Sequence, residues 1–354
     1  MDKVAAAFAE AIRAKVFSGA QLLYGRGEAI HYQGAFGQVS QDPDSRTIND
    51  NSLFDLASLT KPLATAALFM LAEQEGRIDL QSPARDWLPN FQRAEALSLK
   101  QLLAHDSGLP AWLPLYEEVR QKNWDYERTR DFYIERIAAT PLEAEPGTKR
   151  IYSDLGFILL GFVLEKVFSR RLEPLFQERI AGPLGLSQTL FHPLNHIDRI
   201  VPQDIAATEI CPWRGRLILG EVHDDNAHVL GGAAGHAGLF GSAREVGRFA
   251  REILAAAEGR SKIFQAATLD RFLGPKVQPK LGWDTVSPSG SQAGAGFNVD
   301  RSVGHLAFTG CSLWIDFSDR KYIVLLSNRV HPRRDNEAIK EFRPKIHDLL
   351  LNAS

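Results

Sequence analysis

Cysteine is scarce in this chain, with Cys211 and Cys311 the only two among 354 residues. Two thiols build no disulfide framework, and both read as small hydrophobes. Net charge is almost absent too. Lysine and arginine number 41 against 43 aspartates and glutamates, a formal charge of -2. Such a balance gives no electrostatic footprint for nucleic acid or a membrane surface as partner. No apolar run is long and unbroken enough for a membrane span. Residues 1–20 also lack a basic segment leading into an unbroken apolar one, because Glu10, Arg13 and Lys15 interrupt the pattern. The chain as given therefore reads as cytoplasmic, unless a leader has been trimmed. There is no H-E-x-x-H, no internal repeat and no low-complexity segment, and neither a metal nor a cofactor is expected.

What is present is ordinary globular composition, 44% hydrophobic and 24% charged. The length exceeds that of a usual single core. Strand-like runs lie at both ends: Ala20 to Tyr24 and Ala29 to Gly34 around a Gly25-Arg26-Gly27 turn, then Gly304 to Phe317 and Tyr322 to Ser327. Residues 3–14 read as an amphipathic helix with Val4, Phe8, Ala11 and Ile12 at helical spacing, and a last helix is expected from about Asn336 to Leu351. Helical patterns fill the middle, including a nearly all-apolar stretch from Leu155 to Phe168. Residues 187–230 read as a long irregular segment, and 258–292 as polar and partly loop. The expected fold is α/β (α+β): an antiparallel sheet assembled from both termini, flanked by helices, with an all-helical lobe inserted. One catalytic domain is expected, with an α/β lobe at about 1–57 and 240–354 and a helical lobe at about 58–239.

The stretch Phe54 to Pro62, followed by the apolar run Leu63 to Ala72, draws attention first. Pro62 lacks an N–H, so it belongs in the first turn of a helix that starts close to Ser58. Ser58 and Lys61 then share one face of a helix N-terminus, with apolar residues behind them. Desolvation lowers a lysine pKa, and a neutral amine can take a serine proton. This is the S-x-x-K arrangement of serine acyl transfer. Spacing alone is weak: Ser318-Asp319-Arg320-Lys321 repeats it in a polar turn, where it reads as solvated. For Ser58 the competing reading is a plain helix cap, with Lys61 reaching solvent.

Acyl transfer also needs a second proton-transfer group and donors for the oxyanion. Tyr152-Ser153-Asp154, just ahead of the second apolar helix, offers a phenol and a carboxylate. Nearby positive charge would help Tyr152 to ionise; the competing reading is a buried tyrosine with its hydroxyl satisfied. If the strand containing His305 to Gly310 edges a cleft, its backbone N–H groups from Ala307 to Thr309 can pair with an extended substrate. The Ser58 and Phe308 N–H groups are the candidate oxyanion donors.

Taken in order, Ser58-Leu59-Thr60-Lys61, Tyr152-Ser153-Asp154 and His305-Leu306-Ala307-Phe308-Thr309-Gly310 resemble the three motifs of class C-type β-lactamases and related penicillin-recognising serine hydrolases. The connecting blocks Leu102 to Pro110, Glu145-Pro146-Gly147, Gly182 to Leu186 and Gly238-Leu239-Phe240 resemble the same family. The resemblance implies a site between two lobes, with Ser58 as acylated nucleophile, Lys61 as proton acceptor and Tyr152 as base. It implies a small-molecule substrate: an ester, a β-lactam or a muramyl peptide.

Two departures matter. The second motif usually ends in Asn, whereas here Asp154 would hold Lys61 as ammonium and shift the base role toward Tyr152. The third usually reads Lys-Thr-Gly, with His-Thr-Gly in esterase-like relatives; here it is His305-Leu306-Ala307, or Phe308-Thr309-Gly310 in another register. Either way the lysine is lost, so recognition of a β-lactam carboxylate is weakened. His223, Asp225 and His236, with their neighbours, depart from the pattern and read as a specificity loop or as a polar network pinning a long loop. Arg329, His331, Arg333 and Arg334 form a basic patch that reads as a solvated edge, unless it faces the site. The combination is similar to a subgroup associated with peptidoglycan recycling. The expected activity is hydrolysis of an ester, peptide or muropeptide amide through a Ser58 acyl-enzyme. The alternatives are a true class C-like β-lactamase and a non-catalytic protein that binds muropeptides or β-lactams.

Overall fold

The computed structural model describes residues 2–93, 95–287 and 290–352, so positions 288 and 289 of the expected 258–292 loop lie outside the described residues. The strands are β1 (Gly19–Arg26), β2 (Ala29–Gly37), β3 (Phe54–Asp55), β4 (Ile210–Cys211), β5 (Arg216–Leu217), β6 (Phe240–Gly241), β7 (Asp284–Thr285), β8 (Ser302–Leu306), β9 (Ser312–Asp316) and β10 (Lys321–Ser327). Six of them form one sheet in the order β2-β1-β10-β9-β8-β7, with every neighbouring pair antiparallel. The N-terminal hairpin thus sits beside the last strand, as expected of a sheet built from both termini.

Alternation decides which side chains go to which face. Leu22, Tyr24, Ile323 and Leu325 join Val4, Phe8, Phe17, Ile339 and Ile346 in one core, beneath the terminal helices Asp2–Arg13 and Ile339–Asn352. Leu23, Val324 and Leu326 enter the larger core on the other face, with Val246, Phe249 and Ile253 of the Ala243–Ala257 helix. Covered on both sides, β10 is buried along its whole length.

The helices of the middle region gather around Asp154–Phe168. Ser153 caps this helix, accepting from the Gly156 N–H at 3.3 Å. Leu155 through Leu164 are all buried. Gly161 lets the chain at Gly235 pass close by: a Cβ on Gly161 would sit 2.8 Å from the Gly235 nitrogen. That approach brings the Gly235-His236 backbone onto the segment carrying Lys61, where Thr65 Oγ1 donates to the Gly235 carbonyl at 2.6 Å.

Three local readings change. Gly304 to Phe317 is not one strand: β8 ends at Leu306, and residues 307–310 turn into β9. The Ala307 N–H donates to the Cys311 carbonyl at 2.8 Å, and Gly310 has a φ of 102°, a conformation that favours glycine. The segment after Ser58 opens as a short 3-10 turn, Ala57–Leu59, and a wide π-type turn, Lys61–Ala66, before becoming α-helical at Ala67–Gln74. Gly25 and Arg26 belong to β1, leaving Gly27 at the turn with a φ of 56°.

Asn328, just past β10, ties the sheet to the rest of the chain. Its Oδ1 accepts from the Ser18 and Gly19 N–H groups at 3.2 and 3.0 Å. Its Nδ2 reaches Ser18 Oγ, the Val39 carbonyl and the Ala207 carbonyl at 2.7, 3.2 and 3.0 Å. Asn328→Ala would orphan several buried backbone groups at once, each costing about 1–3 kcal/mol. Denaturant unfolding is expected to show a loss of about 3 kcal/mol or more; a change under about 1 kcal/mol would mean the cluster is not a structural tie.

Candidate active site

Ser58 follows Ala57, whose φ of 42° is unusual for a residue with a side chain. The Asp55 carboxylate holds that bend: Oδ1 accepts from the Ala57 N–H at 2.8 Å, and Oδ2 from the His223 N–H at 2.7 Å. Leu59 and Leu63 fall on the buried side, which leaves Ser58 facing a cleft of about 330 Å³. Ala57, Ser58, Trp112, Asp154, Asp224, His236, Phe308 and Arg334 are among its walls.

Lys61 is fully enclosed, with 0% of its surface exposed. Its Nζ donates to Ser58 Oγ at 3.0 Å and to the His236 carbonyl at 3.2 Å, and lies 2.7 Å from Asp154 Oδ1. The Tyr152 and Phe157 rings pack against it at 4.9 and 5.6 Å. Burial alone would lower the lysine pKa, but Asp154 and Tyr152 outweigh it and hold Lys61 above its usual range. The expectation of an ammonium held by Asp154 agrees with this geometry.

Tyr152 differs from expectation in sign. Tyr152 is 36% exposed, and Lys61 and Ser58 are among the groups that act on its hydroxyl. Burial is the largest influence on that hydroxyl and raises its pKa. Lys61 pulls it down, Asp154 pushes it up again, and the outcome is a phenol pushed up to about 12. Resting Tyr152 is therefore protonated, not a ready phenolate.

Two histidines flank this tyrosine. His105 packs 4.5 Å from the Tyr152 ring, and its Nδ1 accepts from the Ser153 N–H at 3.0 Å. Burial, then the Lys61 charge, depress its pKa well below the usual value, so it is neutral. His305 lies 5.9 Å from the same ring, and its Nδ1 donates to the Leu306 carbonyl at 2.8 Å. It too is buried, and burial is the main cause of its lowered pKa.

Of the third stretch, only Phe308 lines the cleft. It is 49% exposed, stacked on His223 at 5.8 Å and on the Arg329 guanidinium at 4.4 Å. Its N–H donates to no acceptor among the described residues. Ala307 is used in the turn, and the Thr309 hydroxyl donates to the Asp55 carbonyl at 2.8 Å. No extended strand is available from Ala307 to Thr309 for a substrate to pair with, because these residues form the hairpin turn.

The 209–236 segment supplies the opposite wall. The His223 ring contacts Glu209 at 3.1 Å. Asp225 is clamped by Trp213 Nε1, Arg214 and Arg334 at 2.9, 3.2 and 3.1 Å. His236 Nε2 lies 2.8 Å from Asp224 Oδ1. His223, Asp225 and His236 are tied into a polar network and also line the cleft. In the basic patch, Arg329 is buried with its Nε donating to the Phe308 carbonyl at 2.6 Å. Arg333 faces solvent, and Arg334 lines the cleft while paired to Glu209 and Asp225. His105, Asp55 and Trp112 acquire site positions that the sequence reading did not assign, while Asp224, within the His223–His236 segment, and Arg334, of the basic patch, take cleft-facing places that it had left open. Asp55 and His105 did sit inside the blocks that carried the family resemblance. Among the described residues no cluster of three His, Cys, Asp or Glu is placed to hold a metal ion, and no helix is long and apolar enough to cross a membrane.

Comparison with known proteins is consistent across the chain. The family profile described as Beta-lactamase matches residues 4–345. A protein of Escherichia coli (strain K12) named "Putative D-alanyl-D-alanine carboxypeptidase" is 31% identical over 343 residues, covering 88% of this chain and 76% of that protein. A protein of the same name from Salmonella agona (strain SL483) is 30% identical, covering 79% and 70%. Among solved structures, the octameric penicillin-binding protein homologue from Pyrococcus abyssi superposes with a TM-score of 0.76 at 19% identity, over 99% of this chain and 77% of that one. EstCE1, a hydrolase with promiscuous acyltransferase activity, gives 0.73 at 21% identity, over 97% and 98%. At these identities the structural matches show a shared fold.

Proposed function

The chain belongs to the beta-lactamase family and is a serine hydrolase; from that premise we propose that Ser58 is its nucleophile, acting on an ester, peptide or muropeptide amide bond. The observation that carries this is the 3.0 Å contact between Ser58 Oγ and an enclosed Lys61 Nζ at the floor of an open cleft. Ser58 Oγ bonds to the carbonyl carbon, and the serine proton passes to the Lys61–Tyr152 pair once that pair has lost one proton to solvent. The pair returns the proton to the departing alcohol or amine. Water then cleaves the acyl-enzyme with the same groups acting in reverse order. The Ser58 and Phe308 N–H groups are assigned to the oxyanion. His105 and Asp55 set the positions of Tyr152 and Ser58.

The carboxypeptidase name of the relatives supports a D-alanyl peptide as one candidate substrate. Turnover of β-lactams as the main activity is disfavoured by the third stretch. In neither register does the third stretch supply a lysine, and buried His305 presents no cation to the cleft. We take the chain as one catalytic domain, a reading supported by cleft walls drawn from both 58–239 and 240–354.

Intact-protein mass spectrometry after exposure to a penicillin, a p-nitrophenyl ester and a muramyl tripeptide tests the proposal. Wild type should give an adduct or product with at least one of them, and Ser58→Ala with none. An adduct that persists in Ser58→Ala, or no reaction with any of the three, would overturn the assignment.

A further inference from the structure

The lysine missing from the third stretch leaves open what the cleft recognises. Of its charged walls, Arg334 is 38% exposed at the side chain. Its guanidinium is committed, with Nε and Nη2 on Glu209 at 2.9 and 2.5 Å and Nη1 on Asp225 at 3.1 Å. The Arg334 cation is therefore spent within a cluster in which Arg214 also pairs with Asp225. Asp225 is 4% exposed at the side chain and fully engaged. Asp224 and Asp154 remain, with 23% and 19% of their side chains open.

Asp224 binds through Oδ1 alone, to His236 Nε2 at 2.8 Å and to the Ala227 N–H at 2.7 Å. Burial would raise its carboxyl pKa, but His236 and that N–H outweigh burial and keep it well below the usual carboxylate range. It is an anion at any working pH. A second, independent feature lies on the same wall. His236 is 1% exposed, yet its Nδ1 has no partner among the described residues. With Nε2 engaged by the Asp224 carboxylate, Nδ1 is the one open polar atom of the ring. A buried polar atom left open calls for a partner. Trp112 and Phe308 also line the cleft at 43% and 49% exposed; Phe308 already stacks on Arg329 and His223, so Trp112 offers the aromatic face that can attract a cation.

We propose that this wall, Asp224 and His236 with Trp112 and Phe308, is a subsite for a cationic nitrogen on the substrate, an ammonium in the first instance. It deepens the reading of the cleft as the substrate site of a serine hydrolase, and rests on that reading only for the word substrate. Each group has its part. Asp224 supplies the charge, His236 and the Ala227 N–H hold its Oδ1 and leave Oδ2 to the nitrogen, and the two rings exclude water around the carbon that bears the nitrogen. A free amino group on an amino-acid ester or short peptide would meet this description; a carboxylate in the same place would face Asp224.

The test is calorimetric titration of the Ser58→Ala protein with n-hexylammonium, 1-hexanol and hexanoate, which share a chain length and differ in head-group charge. Hexylammonium should bind at least about tenfold more tightly than either of the others. Asp224→Asn, which keeps an oxygen for the Ala227 N–H, should erase that preference. Trp112→Ala, at an exposed position, should weaken the ammonium more than the alcohol. Equal affinities, tighter hexanoate, or no heat from hexylammonium would overturn the subsite. The Ser58 reading is judged separately by the covalent adduct, so either result can fail while the other stands.

Discussion

Lys61→Met is expected to lower kcat/KM for an activated ester by roughly 10²- to 10⁴-fold, the usual worth of a positioned proton-transfer group. Its three contacts, to Ser58, His236 and Asp154, make it both a chemical and a structural group, and the two roles separate by a second substitution. Alone, Lys61→Met leaves Asp154 facing an apolar hole, which costs about 3–5 kcal/mol when a buried ion pair loses one member; the lower end is expected, because Asp154 is partly open to the cleft. Lys61→Met/Asp154→Asn removes the stranded carboxylate and should recover most of the stability, measured by denaturant unfolding, while activity stays low. If the double variant regains both, Lys61 serves only to neutralise Asp154. If Lys61→Met alone keeps wild-type kcat/KM, the proton is handled elsewhere.

What the sequence made legible follows physical range. Ser58 and Lys61 are three residues apart with Pro62 beside them, so their shared face is a local matter. The sheet from both termini was readable from the short apolar runs at Leu22 to Tyr24 and at Tyr322 to Leu326 with turn residues beside them, since such runs need no partner to be recognised. The turn at residues 307–310 was not. Ala307, Phe308 and Thr309 continue the strand-like composition, and the turn depends on Gly310 and on Arg329, whose Nε bonds the Phe308 carbonyl. The partners of Asp224 and Arg334 were equally hidden. Glu209 and Arg334 meet across 125 positions, and Asp55 and His223 across 168, and no local signal reports such pairings. The sign of the Tyr152 shift failed for a different reason. Its cation partner was visible, but the depth of burial that outweighs the cation is a property of the assembled lobes.

Asp154→Asn tests that last point, and it is expected to raise activity at neutral pH. With Lys61 above its usual range and Tyr152 near 12, the resting trio of Ser58, Lys61 and Tyr152 carries one proton too many to accept another. The competent fraction then grows about tenfold for each pH unit below that pKa, and the wild-type rate should climb into the alkaline range. Asp154 raises both groups, so asparagine lowers both: burial then dominates at Lys61, and Lys61 acts on Tyr152 with less opposition. The rise should move down by about one to two pH units, a gain of roughly 10- to 100-fold at pH 7–8. Stability gives an independent sign. In wild type, Lys61 has a raised folded pKa, so its contribution is complete below the unfolded value and is lost as pH rises through the folded one. In Asp154→Asn the folded pKa falls below the unfolded one, the unfolded chain binds more protons, and stability should increase as pH rises. A profile that stays in place, or moves upward, would show that the carboxylate does not set the protonation of Lys61 and Tyr152.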